Sequence, residues 1–455
     1  MEERIPTSRL GVEFVVSDAG LEITSPRSWL RTSVIALSEI THFSANKRWF
    51  WLGTTRDIMS FSRRRFRDED GPERLSQALC RAIARKPHGL EQLAKINQIN
   101  GLARQPAPQW AARILALVCV LVYFLQYSDP FIEEVASFVP EMVSSGQLWR
   151  LVSANFLHGP IWHLLFNLLG LLGLAVLVER PLGSGRTAIV MAAAGVMAML
   201  TSYLAEAGIV VGVSGVVMGL AGAAMCLEFH NSDRLPVWWR VPRAPFVTLM
   251  LIELAIGFSV PFIAGPAHFG GFVGGYLATR LLVGGGVMRR PIPPWMRRVG
   301  AATAFVVLLA LVNVALLITR ESNAMERYAK QLLATSEMSA YAYNSVAWRM
   351  ATESSADVEQ LGVAQDLAEA AADRTEHYDP QILDTLAEVL FSRGDVEGAL
   401  RTIDEAIRLT NAQRYYVEQR RRFTGERAVD DRPDPPPRPL RVREVVDDGP
   451  EGILI

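Results

Sequence analysis

Two residues able to do chemistry lie in apolar segments of this sequence. Ser214 stands between Gly212 and Gly215, and His268 lies at the start of a later apolar segment. A serine hydroxyl is a weak nucleophile that needs a neighbouring base, and histidine is the usual base. Ionisable groups are costly at membrane depth, so they tend to persist there only where they act. The pair predicts a serine protease that works inside a membrane, with Ser214 attacking a peptide carbonyl and His268 carrying the proton to the leaving amine.

A second group of polar residues is suited to bind the oxyanion formed in such an attack. His163 and Asn167 are four residues apart, so they share one face of a helix. Together with the backbone amide of Ser214 they would donate hydrogen bonds to the oxyanion, and one such donor is commonly worth about 10²- to 10³-fold in rate. The glycines beside the serine would let backbone and substrate approach closely. His158 is expected to have a structural role.

Composition indicates an integral membrane protein. The chain has 455 residues, of which 50% are hydrophobic. Seven apolar runs are long enough to cross about 30 Å of hydrocarbon as helices. These predicted spans are residues 110–127, 151–178, 186–205, 212–229, 244–263, 267–284 and 299–319.

The distribution of charge between the spans predicts the topology. Arginines follow the second, fourth and sixth spans, whereas the loop between the first two spans is acidic. By the positive-inside rule the arginine-rich loops are cytoplasmic, which puts the amino terminus inside and the carboxyl terminus outside. The starts of spans two, four and six, with His163, Ser214 and His268, then meet near the outer surface. The predicted location is a bacterial inner membrane, because the sequence has the domain composition of a bacterial protein and no organelle-targeting segment.

Regions of different composition flank the apolar core. Residues 1–92 contain strand-like stretches followed by a helical run, which predicts a small β-rich domain similar to pleckstrin-homology domains. Small residues between 383 and 410 match the spacing of a tetratricopeptide repeat. The predicted domains are a cytoplasmic β-rich domain at 1–92, a linker at 93–109, a catalytic core at 110–284, a cytoplasmic linker at 285–298, a seventh transmembrane helix at 299–319, an exoplasmic tetratricopeptide-like domain at 325–423 and a disordered tail at 424–455.

The order of these motifs resembles the rhomboid family of intramembrane serine proteases. The resemblance covers residues 110–284 and rests on Trp149 and Arg150, His158, His163 and Asn167, Glu179 and Gly183, Gly212, Ser214 and Gly215, and His268 with Gly271 and Gly275. It implies that Ser214 is the nucleophile, that His268 is the base, and that His163, Asn167 and the Ser214 amide form the oxyanion hole. It also implies that Trp149 and Arg150 support a membrane-embedded outer loop. Met218 departs from the pattern, because many bacterial members have an aromatic residue four positions after the serine, and we expect a looser Ser-His pair.

The predicted fold class is mainly α, a polytopic membrane helix bundle with a six-helix rhomboid-like core and a seventh span. A small α+β domain precedes the bundle, and a helical-repeat domain follows it. Gly271 and Gly275 are spaced as GxxxG and are predicted to pack the sixth span against the fourth. Glu253 lies within the fifth span, where an ionised carboxylate costs several kcal/mol, so it is expected to be protonated or paired inside the bundle. No third acid is evident at the outer face, and a Ser-His dyad is predicted.

Two alternatives to proteolysis are a silent scaffold and a transporter. A catalytically silent rhomboid-like scaffold for binding or quality control would have lost Ser214 or His268, and both are present. A transporter would have inverted repeats and polar sites at the midplane. The sequence has no HExxH motif, and neither a metal nor another cofactor is expected. The expected partners are transmembrane protein substrates, the lipid bilayer, and a peptide or protein that binds the tetratricopeptide-like region; nucleic acid is not expected.

Overall fold

The computed structural model describes most of the chain, in ranges separated by short gaps. The described residues are 2–7, 13–24, 33–105, 109–129, 131–260, 263–283, 293–319, 322–335, 338–352 and 356–433. The chain divides into two compact units. Unit 1 comprises Met1–Val120, Gly159–Thr201 and Val213–Thr303, and unit 2 comprises Leu121–His158, Ser202–Gly212 and Ala304–Ile455.

Seven strands and eighteen α-helices lie within the described ranges. The strands are β1 (Glu3–Pro6), β2 (Glu13–Val16), β3 (Leu21–Thr24), β4 (Ser33–Ile35), β5 (Ile40–Ala45), β6 (Trp49–Thr54) and β7 (Ile58–Ser62). The helices are α1 (Gly71–Ala84), α2 (Gly89–Arg104), α3 (Trp110–Ser128), α4 (Phe131–Ala136), α5 (Pro140–Ser144), α6 (Arg150–Ser153), α7 (Ile161–Leu182), α8 (Ser184–Leu204), α9 (Ser214–Asn231), α10 (Arg243–Ser259), α11 (Gly265–Val283), α12 (Pro294–Ile318), α13 (Ser322–Leu333), α14 (Ala340–Thr352), α15 (Val358–Arg374), α16 (Pro380–Ser392), α17 (Val396–Leu409) and α18 (Arg414–Phe423).

The amino-terminal part of unit 1 contains two antiparallel sheets closed by a helix. The first sheet has the strand order β1-β2-β3-β4, and the second has the order β5-β6-β7. Apolar side chains from both sheets meet the apolar face of α1 in one core, which includes Phe14, Phe50, Leu52, Leu75 and Leu79. The predicted amino-terminal β region is therefore confirmed, and its likeness to a pleckstrin-homology domain stays a prediction.

The predicted linker at 93–109 is wrong for most of its length, because α2 extends to Arg104 and packs on the second sheet. Gln92 Nε2 donates hydrogen bonds of 2.8 Å to the carbonyl oxygens of Leu37 and Ile40. The apolar residues of α2 do not form a clear stripe along one face of the helix, so the sequence pattern there is weak. Tertiary contact with the sheet stabilises the helix instead.

Seven long helices correspond in order to the seven predicted spans. Five of them are long and apolar enough to cross a membrane, namely α3, α7, α8, α10 and α12. The candidate span at α10 also includes the turn before this helix and runs over Val237–Ser259. The other two, α9 and α11, are the helices that carry Ser214 and His268. Their glycines allow close packing against neighbouring helices. The apolar helices identify an integral, multi-pass membrane protein.

Two predicted boundaries around the spans need correction. The second span was predicted to begin at residue 151, but α7 begins at Ile161, because Gly159 and Pro160 interrupt the helical run. Residues 154–156 before it form a short 3₁₀ turn. The linker predicted at 285–298 lies partly outside the described residues, and its end is already helical because α12 begins at Pro294.

Small residues bring α8, α9 and α11 into very close contact. A Cβ atom on Gly271 would overlap the carbonyl oxygen of Gly215, and a Cβ atom on Gly275 would overlap the carbonyl oxygen of Gly219. Alanines of α8 approach the same two glycines of α9. Glycine is therefore required at these positions for the three helix backbones to approach so closely.

Buried polar contacts attach the β domain to the loop after α9. Arg240 pairs with Glu228 at 2.7 Å, and its Nη1 donates to the carbonyl oxygen of Thr54 at 2.6 Å. The Val237 amide donates to Nδ1 of His42 at 3.2 Å. Burial lowers the pKa of His42 to about 4, so the imidazole is neutral and can accept this bond. The β domain is thus held at the end of α9 remote from the serine.

Unit 2 joins the loop between α3 and α7 to the carboxyl-terminal helices. Apolar side chains of α4 and α5 share one core with those of α13 and α14, and this core includes Phe131, Met142 and Tyr328. Arg349 of α14 forms an ion pair of 3.0 Å with Asp129 at the start of the loop. The loop and the first carboxyl-terminal helices therefore form one folded body.

The carboxyl-terminal helices pack in succession from α13 to α18. Asp357, Asp379 and Asp395 cap the amino termini of α15, α16 and α17 by accepting backbone N–H bonds. This is the helical region predicted at 325–423, with α13 and α18 at its two ends. Its assignment to tetratricopeptide repeats stays a prediction.

The first part of the predicted disordered tail is ordered. Arg422 Nη1 donates to the carbonyl oxygen of Val429 at 3.1 Å, and Arg432 Nη2 donates to Glu388 at 2.9 Å. These contacts with α16 and α18 hold residues 424–433 against the helical region. The remainder of the predicted tail, residues 434–455, lies outside the described residues.

A buried carboxyl group makes the stability of the helical region depend on pH. Burial raises the pKa of Asp384 from 3.8 to about 7, although Tyr415 and Gln419 donate to its carboxylate. The folded state therefore binds the proton more tightly than the unfolded state does. The stabilisation is complete below about pH 4 and is lost as the pH rises towards 7, with a slope of up to about 1.4 kcal/mol per pH unit.

Hydrogen exchange of the α16 and α18 amides in the full chain measures this effect. After correction for intrinsic exchange rates, protection should be greater at pH 5 than at pH 7.5, and Asp384→Asn should remove the difference. Asp404→Asn is the matched control, because Asp404 is a partly exposed carboxylate on α17 and should leave the pH dependence intact. An unchanged pH dependence in Asp384→Asn would contradict the prediction.

Candidate active site

The candidate nucleophile is the first residue of α9. Ser214 follows Val213, which stands at the N-cap position with φ −78° and ψ 3°. The first N–H groups of a helix have no partner within the helix and carry the positive end of its dipole. The Ser214 amide therefore lies where an anion would be stabilised, and its half-buried hydroxyl stands at the same end of the helix.

His268 lies in the first turn of α11, next to the start of α9. A Cβ atom added to Gly215 would stand 3.5 Å from the carbonyl oxygen of Ala267, so the residue after the serine faces the residue before the histidine across a short gap. The contact between Gly271 and Gly215 described above fixes the two helix starts at the same level. Among the described residues, the Ser214 hydroxyl makes no hydrogen bond with His268. In enzymes without bound substrate such catalytic bonds are often long.

A carboxylate contacts the candidate base. Oε1 of Glu253, on α10, lies 2.5 Å from Nδ1 of His268. Both side chains are largely enclosed, with 26% of Glu253 and 15% of His268 exposed. The sequence predicts that Glu253 is protonated or paired inside the bundle, but it does not identify His268 as the partner. The available signal was the presence of an ionisable residue inside an apolar span, which by itself indicates function.

The two residues predicted to bind an oxyanion lie on α7. His163 is close enough to His268 for the two imidazoles to interact electrostatically. Asn167 is buried, and its Nδ2 donates to the carbonyl oxygen of His163 at 3.0 Å. Helix α7 also packs on α9, where Val217 fills the space beside Gly170. Unit 1 thus brings α7, α9, α10 and α11 together around the candidate pair.

Other predicted site residues lie in unit 2. Gly212 has φ +124°, a conformation that favours glycine, and its N–H donates to the carbonyl oxygen of Ala154 at 3.0 Å. His158 is held in the loop through its backbone, which exchanges two hydrogen bonds with the Gln126 side chain. These contacts are structural within that unit.

Trp149 and Arg150 organise the loop between α3 and α7. Trp149 Nε1 donates to the carbonyl oxygen of Val135 at 3.0 Å. The buried Arg150 guanidinium donates to the carbonyl oxygens of Glu134 and Ser137 and to the Tyr328 hydroxyl. Each of these contacts joins parts of unit 2, so the two residues support the loop.

Three further predicted residues surround the helix starts of unit 1. Met218 is buried one turn after Ser214, on the same face of α9. Gly271 and Gly275 lie against the α9 backbone, as described for the fold. The two glycines therefore occupy packing positions.

Comparison with known proteins points to one domain family. Residues 145–285 match the Rhomboid domain. The chain is 30% identical to the rhomboid protease GluP of Bacillus subtilis over 31% of its own length and 27% of GluP. It is 29% identical to the putative rhomboid protease YdcA of the same organism, over 31% of its length and 70% of YdcA. It is also 28% identical to the inactive RHOMBOID-like protein 8 of Arabidopsis thaliana, over 29% of its length and 37% of that protein.

The family match includes α7 to α11 and leaves out α3, α12 and the terminal regions. The chain spans between 27% and 51% of the length of the first curated relatives it matches. The matched region includes every predicted site residue, from Trp149 to Gly275. This chain therefore contains a rhomboid domain at residues 145–285, with rhomboid proteases among its relatives at about 30% identity.

Proposed function

We propose that this protein is an intramembrane serine endopeptidase that uses Ser214 as nucleophile and His268 as general base. The observation that carries the proposal is the close approach of the first turns of α9 and α11, which places the residue after Ser214 near the residue before His268. The match of the surrounding residues to the Rhomboid domain supports the same chemistry.

The reaction follows from the positions of these groups. The Ser214 Oγ attacks the scissile carbonyl carbon while its proton passes to His268, and the carbonyl oxygen becomes an oxyanion. The Ser214 amide at the start of α9, the His163 imidazole and the second N–H of the Asn167 amide would donate to that oxyanion. When the tetrahedral intermediate collapses, the C–N bond breaks and His268 returns the proton to the leaving amine. Water then releases the acyl group by the same route in reverse.

The proposed substrates are proteins anchored by a transmembrane segment and cut near the outer membrane face. Helical segments hide their carbonyl groups in hydrogen bonds, so a substrate must unwind locally before Ser214 can reach it. Small or helix-breaking residues at the cleavage site would lower this cost. The proposed setting is a bacterial inner membrane with the amino terminus inside and the carboxyl terminus outside, on the distribution of arginines in the loops.

Labelling with a fluorophosphonate tests this function directly. The purified full-length protein in lipid vesicles should react covalently at Ser214 and should cleave a reporter with one transmembrane segment. Peptide mass analysis identifies the modified residue. Absence of both labelling and cleavage would contradict the proposed function.

A catalytically silent scaffold is the second candidate function. It is favoured by the absence of a hydrogen bond between Ser214 and His268 in the described structure and by the relative that is named inactive. A scaffold would bind transmembrane partners, and its Ser214→Ala variant would keep the wild-type phenotype. If the protein is a protease, the Ser214→Ala variant would lose cleavage and the phenotype that depends on it.

The helical region after α12 is proposed to recruit or select substrates. Deletion of residues 325–455 would be a poor test, because that segment supplies Tyr328 to Arg150 and more than half of the buried residues of the core that it shares with α4 and α5. Removal of residues 394–455 takes away α17 and α18 but leaves α13 to α16, which supply the carboxyl-terminal part of this core.

The shorter deletion is expected to reduce cleavage of a natural substrate several-fold more than cleavage of a generic transmembrane reporter. Natural substrates can be identified by comparing the ectodomains shed by cells that carry the wild type or Ser214→Ala. Rates for both substrates are then measured side by side in vesicles. Equal losses for the two substrates would argue against recruitment by this region.

A further inference from the structure

The candidate base has a carboxylate partner that a Ser-His dyad does not require. Glu253 Oε1 lies 2.5 Å from His268 Nδ1, and the second oxygen of the same carboxylate, Oε2, is buried without a hydrogen-bond partner. Within the described residues, the imidazole is the only ion-pairing partner of Glu253. An acidic side chain at this depth is costly if ionised, so its position needs a physical reason.

Helix packing does not supply that reason. Helices α10 and α11 already meet through glycines, because a Cβ atom on Gly265 would overlap the carbonyl oxygen of Gly257. These backbones are therefore in direct contact without the help of a side-chain pair. An apolar residue at position 253 would fill a lipid-facing helix at lower cost than a carboxylate with one unsatisfied oxygen.

The chemistry of the histidine does supply a reason. We propose that Glu253 is a positioning residue that orients His268 and stabilises its protonated form during the reaction of Ser214; this rests on the proposed protease function. When Nδ1–H donates to the carboxylate, the Nε2 lone pair remains to accept the Ser214 proton. The proton moves from Oγ to Nε2 as the Oγ–C bond forms, and the carboxylate stabilises the resulting imidazolium. Glu253 itself keeps no proton and touches neither substrate nor reacting atoms.

The surroundings of the pair leave this role to Glu253 alone. The described titratable groups beside His268 are Glu253 and His163, and an imidazole on α7 is not an anion. Other charged or titratable groups of α9, α10 and α11 lie towards the opposite ends of these helices. They are Cys226, Glu228, His230, Arg243, Tyr276 and Arg280.

Three substitutions at position 253 separate positioning from a structural role. Glu253→Gln keeps the shape but removes the charge, Glu253→Asp keeps the charge on a shorter side chain, and Glu253→Leu removes all polar atoms. Activity is measured as kcat and KM for a transmembrane reporter in vesicles, and stability is measured as the thermal unfolding midpoint. Glu179→Gln is the matched control, because Glu179 is a buried glutamate of the same unit that accepts the Ala111 and Ala112 amides at the start of α3.

We expect Glu253→Gln to lower kcat by about 10²-fold or more with KM changed by less than about two-fold, since Glu253 does not contact substrate. Glu253→Asp should recover part of the lost kcat. Glu253→Leu should be as inactive as Glu253→Gln while its unfolding midpoint is unchanged or higher. Glu179→Gln should show the opposite pattern, a lower midpoint with kcat per folded molecule close to wild type.

The outcomes distinguish failure of this proposal from failure of the protease function. If the wild type cleaves, Ser214→Ala does not, and Glu253→Gln retains wild-type kcat, the Ser-His dyad acts alone and the positioning role is wrong. If Glu253→Gln and Glu253→Leu lose activity only in proportion to a lower unfolding midpoint, and Glu253→Asp gives no recovery, the residue is structural and the proposal is also overturned. A wild type that neither cleaves nor reacts with fluorophosphonate refutes the protease function itself.

Discussion

Replacement of Ser214 by alanine is expected to lower kcat/KM for a transmembrane substrate by about 10⁴-fold or more. The reaction begins with a bond between the serine oxygen and the scissile carbon, and alanine has no atom that can form it. Donors at the start of α9 remain in the variant, so only the small acceleration due to the oxyanion hole should survive. Cleavage by the purified variant in lipid vesicles measures the effect.

A serine at the other end of the same helix provides the control. Ser232 follows α9 and accepts a hydrogen bond of 3.2 Å from Arg243. Ser232→Ala should retain nearly wild-type cleavage and fluorophosphonate labelling. If Ser214→Ala instead kept about a tenth or more of the wild-type rate, the nucleophile would have to be another residue.

Replacement of Gly275 by valine is expected to lower the free energy of unfolding by about 3 kcal/mol or more and to abolish activity. A Cβ atom at this position overlaps the backbone carbonyl of Gly219, and a backbone atom cannot move aside as a flexible side chain can. The helices α9 and α11 must therefore separate. That separation also displaces His268 from the start of α9. Thermal unfolding in detergent and cleavage in vesicles measure the two effects.

The matched control is a glycine in the membrane core that has open space around it. A Cβ atom on Gly173, in the middle of α7, would meet no atom within 4 Å. Gly173→Val should therefore leave both the unfolding midpoint and the activity close to wild type. If Gly275→Val proved as stable as Gly173→Val, close backbone packing would not be what holds the two helices together.

The membrane helices were predictable from the sequence because each is a long apolar run, and hydropathy is a property of composition alone. The boundaries of these helices were less predictable. The helix α7 begins at Ile161 and not at residue 151, since a Gly-Pro pair breaks an otherwise apolar stretch. The helix α2 was missed because its apolar residues form no clear stripe and contact with the neighbouring sheet stabilises it. Likewise, residues 424–433 are ordered by contacts that no local pattern predicts. Arg422 donates to the carbonyl oxygen of Val429 in the loop after α18, and Arg432 donates to Glu388 on the distant helix α16.

The sequence by itself determined an integral membrane protein with a rhomboid-like motif order, and it identified Ser214, His268, His163 and Asn167 as the residues able to do chemistry. Residue type and local spacing carry that information. Only the tertiary structure decided that the acid beside His268 is Glu253, and that a loop of unit 2 shares its core with the carboxyl-terminal helices. Contacts between helices far apart in sequence depend on the rotation and depth of each helix, and these are set by close packing at particular glycines and not by any local pattern.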